Sequence, residues 1–383
     1  MATGLQLKIF HRLRFIKITL SVGMILSILC SVNLWAGQRW MPTCPVFKNL
    51  FFPPPYDYVL LILEIALLIA LIFSSKTRVI LFFILFLNLG FVILDQNRLQ
   101  PWFYLYNCFF LVLFFYNWRI DNINNYHSFF IILQLCICAV YIYSGFQKLN
   151  PNFVNETYSW FIKPLTELVS ERQMNFLVKT GYFIPYLEIA IGIGLLIKPV
   201  RFIAITLVIV LHLAILILMG PFGNNYNAVI WPWNLIMIVL VLLLFSGNPM
   251  ERRFTFSLLF KIPVFYLMMG LFWILPAFNL RNHWETYLSF SLFSGNNHNA
   301  KIILSDKAIS KLPMYVRHYV YRQSDLNVLL PKLWCVGELK VPLYPEKRIF
   351  EQITERVLVL TNSSEEDVKL IYIEKIKLFE PQH

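Results

Sequence analysis

At 383 residues, 58% hydrophobic and only 14% charged, the chain is too apolar for a water-soluble globular protein, in which about a quarter of residues carry charge. Aromatics reach 17% and the mean hydropathy is +0.62. The formal charge of +12 would suit nucleic acid. The basic residues, however, stand singly or in small groups at the ends of apolar runs, where positive charge orients helices and meets anionic lipid, so the lipid bilayer is the expected partner and nucleic acid is not.

Taken in chain order, residues 16–36 form the first apolar run, preceded by Lys8, Arg12, Arg14 and Lys17. The run exceeds a leader's hydrophobic stretch and lacks a small-residue cleavage site, so it reads as a membrane span. Further runs at 57–73, 78–94, 101–117, 128–146, 182–198, 201–220, 228–247 and 257–277 bring the expectation to about nine helices. Lys76, Arg78, Arg119, Lys198, Arg201, Arg252 and Arg253 would share a side with the N-terminus, against Arg39, Lys48, Arg98, Lys148, Lys163, Arg172 and Lys179 opposite. That bias puts the N-terminus in the cytoplasm and, after nine spans, the C-terminal region outside it, in a periplasm, lumen or extracellular space.

Two connecting segments on the outer side are more than turns. Residues 38–56 carry Pro42, Cys44, Pro45 and the run Pro53-Pro54-Pro55, which makes a stiff, lid-like loop. Residues 148–181 contain Trp160 and an amphipathic stretch over 165–179 that reads as helix lying at the interface.

The expected fold class is therefore an all-α polytopic membrane bundle over residues 1–280 with a small α+β extramembrane domain over 281–383. In that domain, 287–293, 300–304, 338–342, 357–360 and 370–377 resemble strands and 346–355 a helix. No nucleotide-binding glycine loop, hydrolase elbow or metal-binding cysteine array appears, so no metal is expected. Cys30, Cys108, Cys136 and Cys138 fall in predicted spans as small apolar residues. Cys44 and Cys335 fall in exposed segments, where spacing alone does not settle whether they pair.

The stretch with most chemical content is Tyr141-Ile142-Tyr143-Ser144-Gly145-Phe146-Gln147-Lys148-Leu149-Asn150-Pro151. Ser144-Gly145 permits close helix approach, and Asn150-Pro151 ends the helix just past Lys148. A lysine at that depth either snorkels to mark the boundary or loses hydration, so that its neutral amine becomes a usable base. His212 lies in the 201–220 span, either as a helix-packing group or as a proton carrier. Glu64 and Glu188 each lie a turn or two inside a span, where a carboxylate is expected to be protonated, paired or facing a wet cavity. Each sits in a Leu-Glu-Ile-Ala tetrapeptide followed by an arginine at the start of the next span, a faint internal repeat. Asp95 and Arg98 close the third span, either as an ion pair or as the wall of an outer cavity with Lys148. Trp231 and Asn234 supply an aromatic face and an amide on the same side.

At Ser144-Gly145-Phe146-Gln147-Lys148-Leu149-Asn150-Pro151-Asn152-Phe153 the chain resembles the helix-end motif, small-Gly-x-x-Lys-Leu-x-x-x-aromatic, of the HTTM or vitamin K-dependent gamma-carboxylase-like membrane family. A shorter Gly-x-x-Lys-Leu similarity extends to DoxX-like membrane proteins. Val210-Leu211-His212-Leu213, and the segment from Trp284 to Asn296, add to the likeness. The resemblance implies Lys148 as the base that starts oxygenation of a quinol and His212 as a helper in proton movement. Asp95, Arg98, Glu188, Trp231 and Asn234 would then orient the substrate. Where the carboxylase has two adjacent lysines this chain has Gln147 first, which keeps the base and changes its electrostatic neighbour. The implied cofactor or substrate is a lipid-soluble quinone. The competing expectation is a non-catalytic accessory subunit whose helices anchor an outside domain that binds a secreted or membrane protein partner.

Overall fold

The computed structural model describes residues 4–48, 50, 52–116, 118, 123–247 and 256–378. Arg119, Arg252 and Arg253, part of the sidedness argument above, lie outside them. Helices α1 (Gly4–Cys30), α2 (Val32–Trp35), α3 (Tyr56–Phe73), α4 (Thr77–Leu94), α5 (Pro101–Phe115) and α6 (Ile123–Gln147) build the first half of the bundle. Two short elements follow, α7 (Ser159–Phe161) and the amphipathic α8 (Glu171–Thr180), which starts on a Ser170–Gln173 capping box. Then come α9 (Ile184–Leu196), α10 (Arg201–Met219), α11 (Ile230–Phe245), and α12 (Pro263–Met269) continued by α13 (Leu275–Asn279).

Five of these helices are long and apolar enough to cross a bilayer, α8 and α9 meet the same test only as a pair bent by 45°, and three shorter apolar helices complete the set among the described residues. The shorter ones, Pro101–Phe115, Ile230–Phe245 and Pro263–Asn279, fall below the ~20 residues that a straight crossing needs. The last is broken by a π-helical turn at Gly270–Ile274 and by Pro276, which has no N–H to give its ladder. Carbonyls in that stretch turn to neighbours instead: Leu271 accepts from the Tyr104 hydroxyl (3.3 Å) and Trp273 from that of Tyr143 (2.5 Å).

Burial follows position in the bundle. Helix α6 is buried on nearly all sides, whereas α3, α4 and α10 leave Ile62, Phe73, Phe86, Phe202 and Ile217 exposed, as lipid-facing residues are. Lys17 donates to Ser74 O (3.0 Å) and Arg78 to Tyr116 O (3.1 Å), so these basic groups gather at one end of the bundle. The C-terminal domain docks at the other end.

That domain holds α14 (Asp306–Lys311), α15 (Met314–Arg317), α16 (Pro331–Leu339) and α17 (Lys347–Thr361) around an antiparallel sheet. The strands are β1 (Asn299–Leu304), β2 (Val320–Gln323), β3 (Leu326–Leu329) and β4 (Val368–Ile373), in the order β2-β3-β1-β4. Ile302 faces Leu329 on one neighbour and Leu370 on the other. Alternate residues Ala300, Ile302 and Leu304 are buried, and α17 turns Ile349, Phe350, Ile353 and Val357 inward.

The α+β character holds, but three expected strands do not form. Residues 287–293 make a 3-10 turn at Tyr287–Ser289, then pass through positive φ at Phe290 (59°) and Phe293 (55°), which no strand allows. Residues 338–342 begin as the end of α16, closed by Lys340 at φ 61°. Residues 357–360 continue the 3.6-residue period of α17, so Val357 is core and Val359 is surface. The unforeseen β2–β3 hairpin turns on Ser324-Asp325, both at positive φ (47° and 62°), the conformation a two-residue loop requires.

The docking is polar and specific. The Glu338 carboxylate accepts from the amides of Trp40 (2.6 Å) and Met41 (2.9 Å) and from the Trp334 indole (2.7 Å), holding the proline-rich loop to α16. Gln100 donates to Pro342 O (2.8 Å), and Arg348 to Gln96 Oε1 (2.6 Å).

Candidate functional site

Helices α6 and α9 cross closely near the docked end because small residues let them. A Cβ on Gly145 of α6 would stand 2.5 Å from Pro185 O, and one on Gly192 of α9 would stand 2.6 Å from Ile142. Only glycine fits at either contact, and the resulting close crossing of α6 and α9 brings Glu188 beside Lys148. The Lys148 Nζ donates to Glu188 Oε2 (2.8 Å), Ser144 Oγ (2.6 Å) and Ser144 O (3.2 Å). Those three acceptors use all of an ammonium's N–H bonds. Both side chains of the pair are under a tenth exposed, at 9% and 8%.

A second polar chain enters from α10 and α11. Asn234 Nδ2 donates to Ile230 O (2.7 Å), which turns its Oδ1 toward His212 Nδ1 at 2.6 Å. An amide oxygen can only accept, so Nδ1 carries the proton, and His212 Nε2 accepts from the Tyr141 hydroxyl (2.7 Å). Tyr141, Ser144 and Lys148 are three and four residues apart on one face of α6, so both chains open onto one space.

That space is a cavity of about 220 Å³. Its polar wall is Tyr141, Ser144, Lys148, Glu188, His212 and Asn234; its apolar walls include Tyr158, Phe161, Trp233, Phe290 and Phe293. Ile184, Leu211, Ala214 and Leu218 line its side between α9 and α10. Of these, Ala214 is exposed and the other three are only partly buried, so the cavity is only partly closed on that side. Trp160, Tyr226 and Phe293 pack edge and face over its extramembrane end, with ring centroids 5.1–6.4 Å apart.

Lys148, His212, Glu188 and Asn234 therefore share one cavity. Trp231 does not: its indole donates to Met219 O (3.3 Å), while Trp233 two residues on lines the cavity. Asp95 and Arg98 are elsewhere, and they are not each other's closest partners. Asp95 is ion-paired with Arg39, and its other oxygen accepts from the amides of Cys44 and Asn97 (3.1 Å each). Burial pushes the Asp95 carboxyl up, but Arg39 and Arg98 together outweigh it and hold it below its ordinary range. Arg98 donates to the carbonyls of Leu34, Phe91 and Trp35. Cys44 and Cys335 are both buried and unbridged.

Tyr141 and Ser144 were not singled out as site residues, although their spacing from Lys148 placed them on its face. The two Leu-Glu-Ile-Ala copies also part ways. Glu188 meets a lysine, whereas neither carboxylate oxygen of the fully buried Glu64 has a hydrogen-bond partner among the described residues. No family model, curated protein or solved structure matches the chain.

Proposed function

We propose that the protein is a membrane enzyme of the carboxylase-like kind, crossing the bilayer nine times with its N-terminus cytoplasmic, and that it takes a proton from a flat, lipid-soluble hydroxyl compound such as a quinol. The observation that carries this reading is the convergence of a Lys148–Glu188 pair and a Tyr141–His212–Asn234 chain on one aromatic-walled cavity. A pair 2.8 Å apart can exist as ammonium and carboxylate or, after one proton crosses, as amine and carboxylic acid. The amine form offers Nζ as a base, and Glu188 holds the proton that left it. This differs from a lone dehydrated lysine: the base is the pair. A substrate hydroxyl in the cavity would take the position on Nζ that Ser144 Oγ now holds. The Tyr141 hydroxyl can pass its proton to His212 Nε2 as its oxygen takes one from the substrate, a second route for the proton that leaves His212 as the imidazolium.

The aromatic walls suit a planar ring, and the opening between α9 and α10 suits a substrate that arrives from lipid. The test is quinol-dependent oxygen uptake by the purified protein in detergent, compared with Lys148→Ala and His212→Phe. Activity reduced at least ~100-fold by the lysine change supports the reading. Uptake that ignores both substitutions refutes it, and full biological function in both variants would favour an accessory subunit.

A further inference from the structure

A second cavity, of about 600 Å³, lies on the same side of the bundle but apart from Lys148, between the proline-rich loop and α17. Its rim carries four cations: Arg39, Lys48, Arg98 and Arg356. Two are consumed, Arg39 by Asp95 and Lys48 by Glu355 (3.0 Å). The remaining acid in the cavity, Asp57, accepts from the amides of Gly37 (2.8 Å) and Tyr58 (2.9 Å). Neither Arg98 nor Arg356 has a carboxylate within 4.0 Å among the described residues.

Arg98 is the more telling of the two. It is 6% exposed, and its guanidinium has five N–H bonds, of which carbonyls take three and two remain. The Trp35 and Phe91 rings lie against it at 5.7 and 5.1 Å and keep its plane in place. Asp95 and Asp57 act on this guanidinium from a distance, without direct contact, so an anion on its open side would supply the contact that burial makes valuable.

The floor of the cavity decides what kind of anion. Trp35, Thr43, Leu50, Phe52, Asp57 and Arg98 also bound a smaller space that continues to Leu60 and Leu94, in the first turns of α3 and the last of α4. Neighbours on α3, Val59 and Ile62, are exposed, as residues that meet acyl chains are. A basic rim therefore stands beside the partly exposed apolar residues Phe52, Leu60 and Leu94 at the head of the α3–α4 hairpin.

We infer that this cleft is a binding site for an anionic phospholipid, whose phosphate sits on Arg98 and Arg356 while its acyl chain runs along Phe52, Leu60 and Leu94. The lipid would tie α17 of the C-terminal domain to the head of the α3–α4 hairpin. The site is independent of the proposed chemistry at Lys148, and its test needs no turnover.

The experiment is native mass spectrometry of the full chain released from nanodiscs that hold equal phosphatidylglycerol and phosphatidylcholine. The expected result is selective retention of one phosphatidylglycerol. Arg356→Gln, a surface change that leaves the fold intact, should weaken that retention about fivefold, as loss of one basic contact to an anionic membrane lipid does. Leu60→Trp, which puts a bulky ring on the path proposed for the acyl chain, should weaken it without altering the rim. Equal retention of the two lipids, or indifference to Arg356→Gln, overturns the inference. A third arm titrates inorganic phosphate: displacement of the lipid by millimolar phosphate, together with indifference to Leu60→Trp, would mean that the rim binds a free anion and would overturn the lipid assignment.

Discussion

Replacing Glu188 by alanine removes the carboxylate 2.8 Å from the Lys148 Nζ and leaves a buried amine facing Ser144 alone. Because both side chains are at least nine-tenths shielded, little solvent screening applies. At an effective dielectric of 20, charges at that separation attract by roughly 6 kcal/mol before desolvation is subtracted. Breaking a buried pair from one side costs about 3–5 kcal/mol, so each of Lys148→Ala and Glu188→Ala should destabilise by that amount. The double variant should cost about as much as one single change. A denaturation cycle in mixed SDS micelles reads the coupling directly. A coupling of about 3 kcal/mol identifies the ammonium–carboxylate form, and one near 1 kcal/mol identifies an amine–acid hydrogen bond of the kind seen between membrane helices. Additive single effects, with coupling below about 0.5 kcal/mol, would mean that the two groups do not meet, and the proposed base would go with them.

Two further outcomes test the scaffold. Gly145→Ala places a methyl group 2.5 Å from Pro185 O, so it should cost about 1–3 kcal/mol in the same micelle assay and lower the Lys148–Glu188 coupling. Gly90→Ala, with nothing within 4 Å of its new Cβ, should be neutral or slightly stabilising. In the C-terminal domain, burial and the neighbouring Lys375 and Lys332 depress His298 to about 4, and its Nδ1 accepts from the Tyr372 hydroxyl at 2.7 Å. The native state thus binds fewer protons than the unfolded chain between about 4 and the ordinary histidine value of 6.5. Stability should be full above that window and fall as pH drops through it. His298→Gln should flatten this acid limb of the melting curve, and an unchanged limb would locate the effect in another group.

Much of this molecule was legible because a bilayer imposes a simple rule. Backbone polar groups must be satisfied inside each segment, so long apolar runs become helices, and their ends carry the charges. The exposed amphipathic helix α8, the polar turn closing α4 and the end of α6 at Gln147 all follow from that rule. Short segments in water obey a weaker one. Residues 357–360 are β-branched and aliphatic, yet they continue a helix because the preceding turns of α17 already present Ile349 and Ile353 on the same face. Residues 287–293 alternate in polarity, but their serines bond locally, Ser289 to Glu285 O and Ser291 to Ser294, and bend the chain.

The amino-acid sequence by itself determined that several long apolar helices form, compatible with a multi-pass membrane protein, and that Lys148, Glu188 and His212 are polar groups out of place in them. Only the tertiary structure decided which of them meet. Glu64 and Glu188 sit in the same tetrapeptide, yet one finds an amine forty positions away and the other finds none. Asp95 chooses Arg39, fifty-six residues distant, over Arg98 three residues on. The reason is geometric: burial depends on the local run of side chains, whereas pairing between helices depends on crossing distance, and here two glycines set that distance.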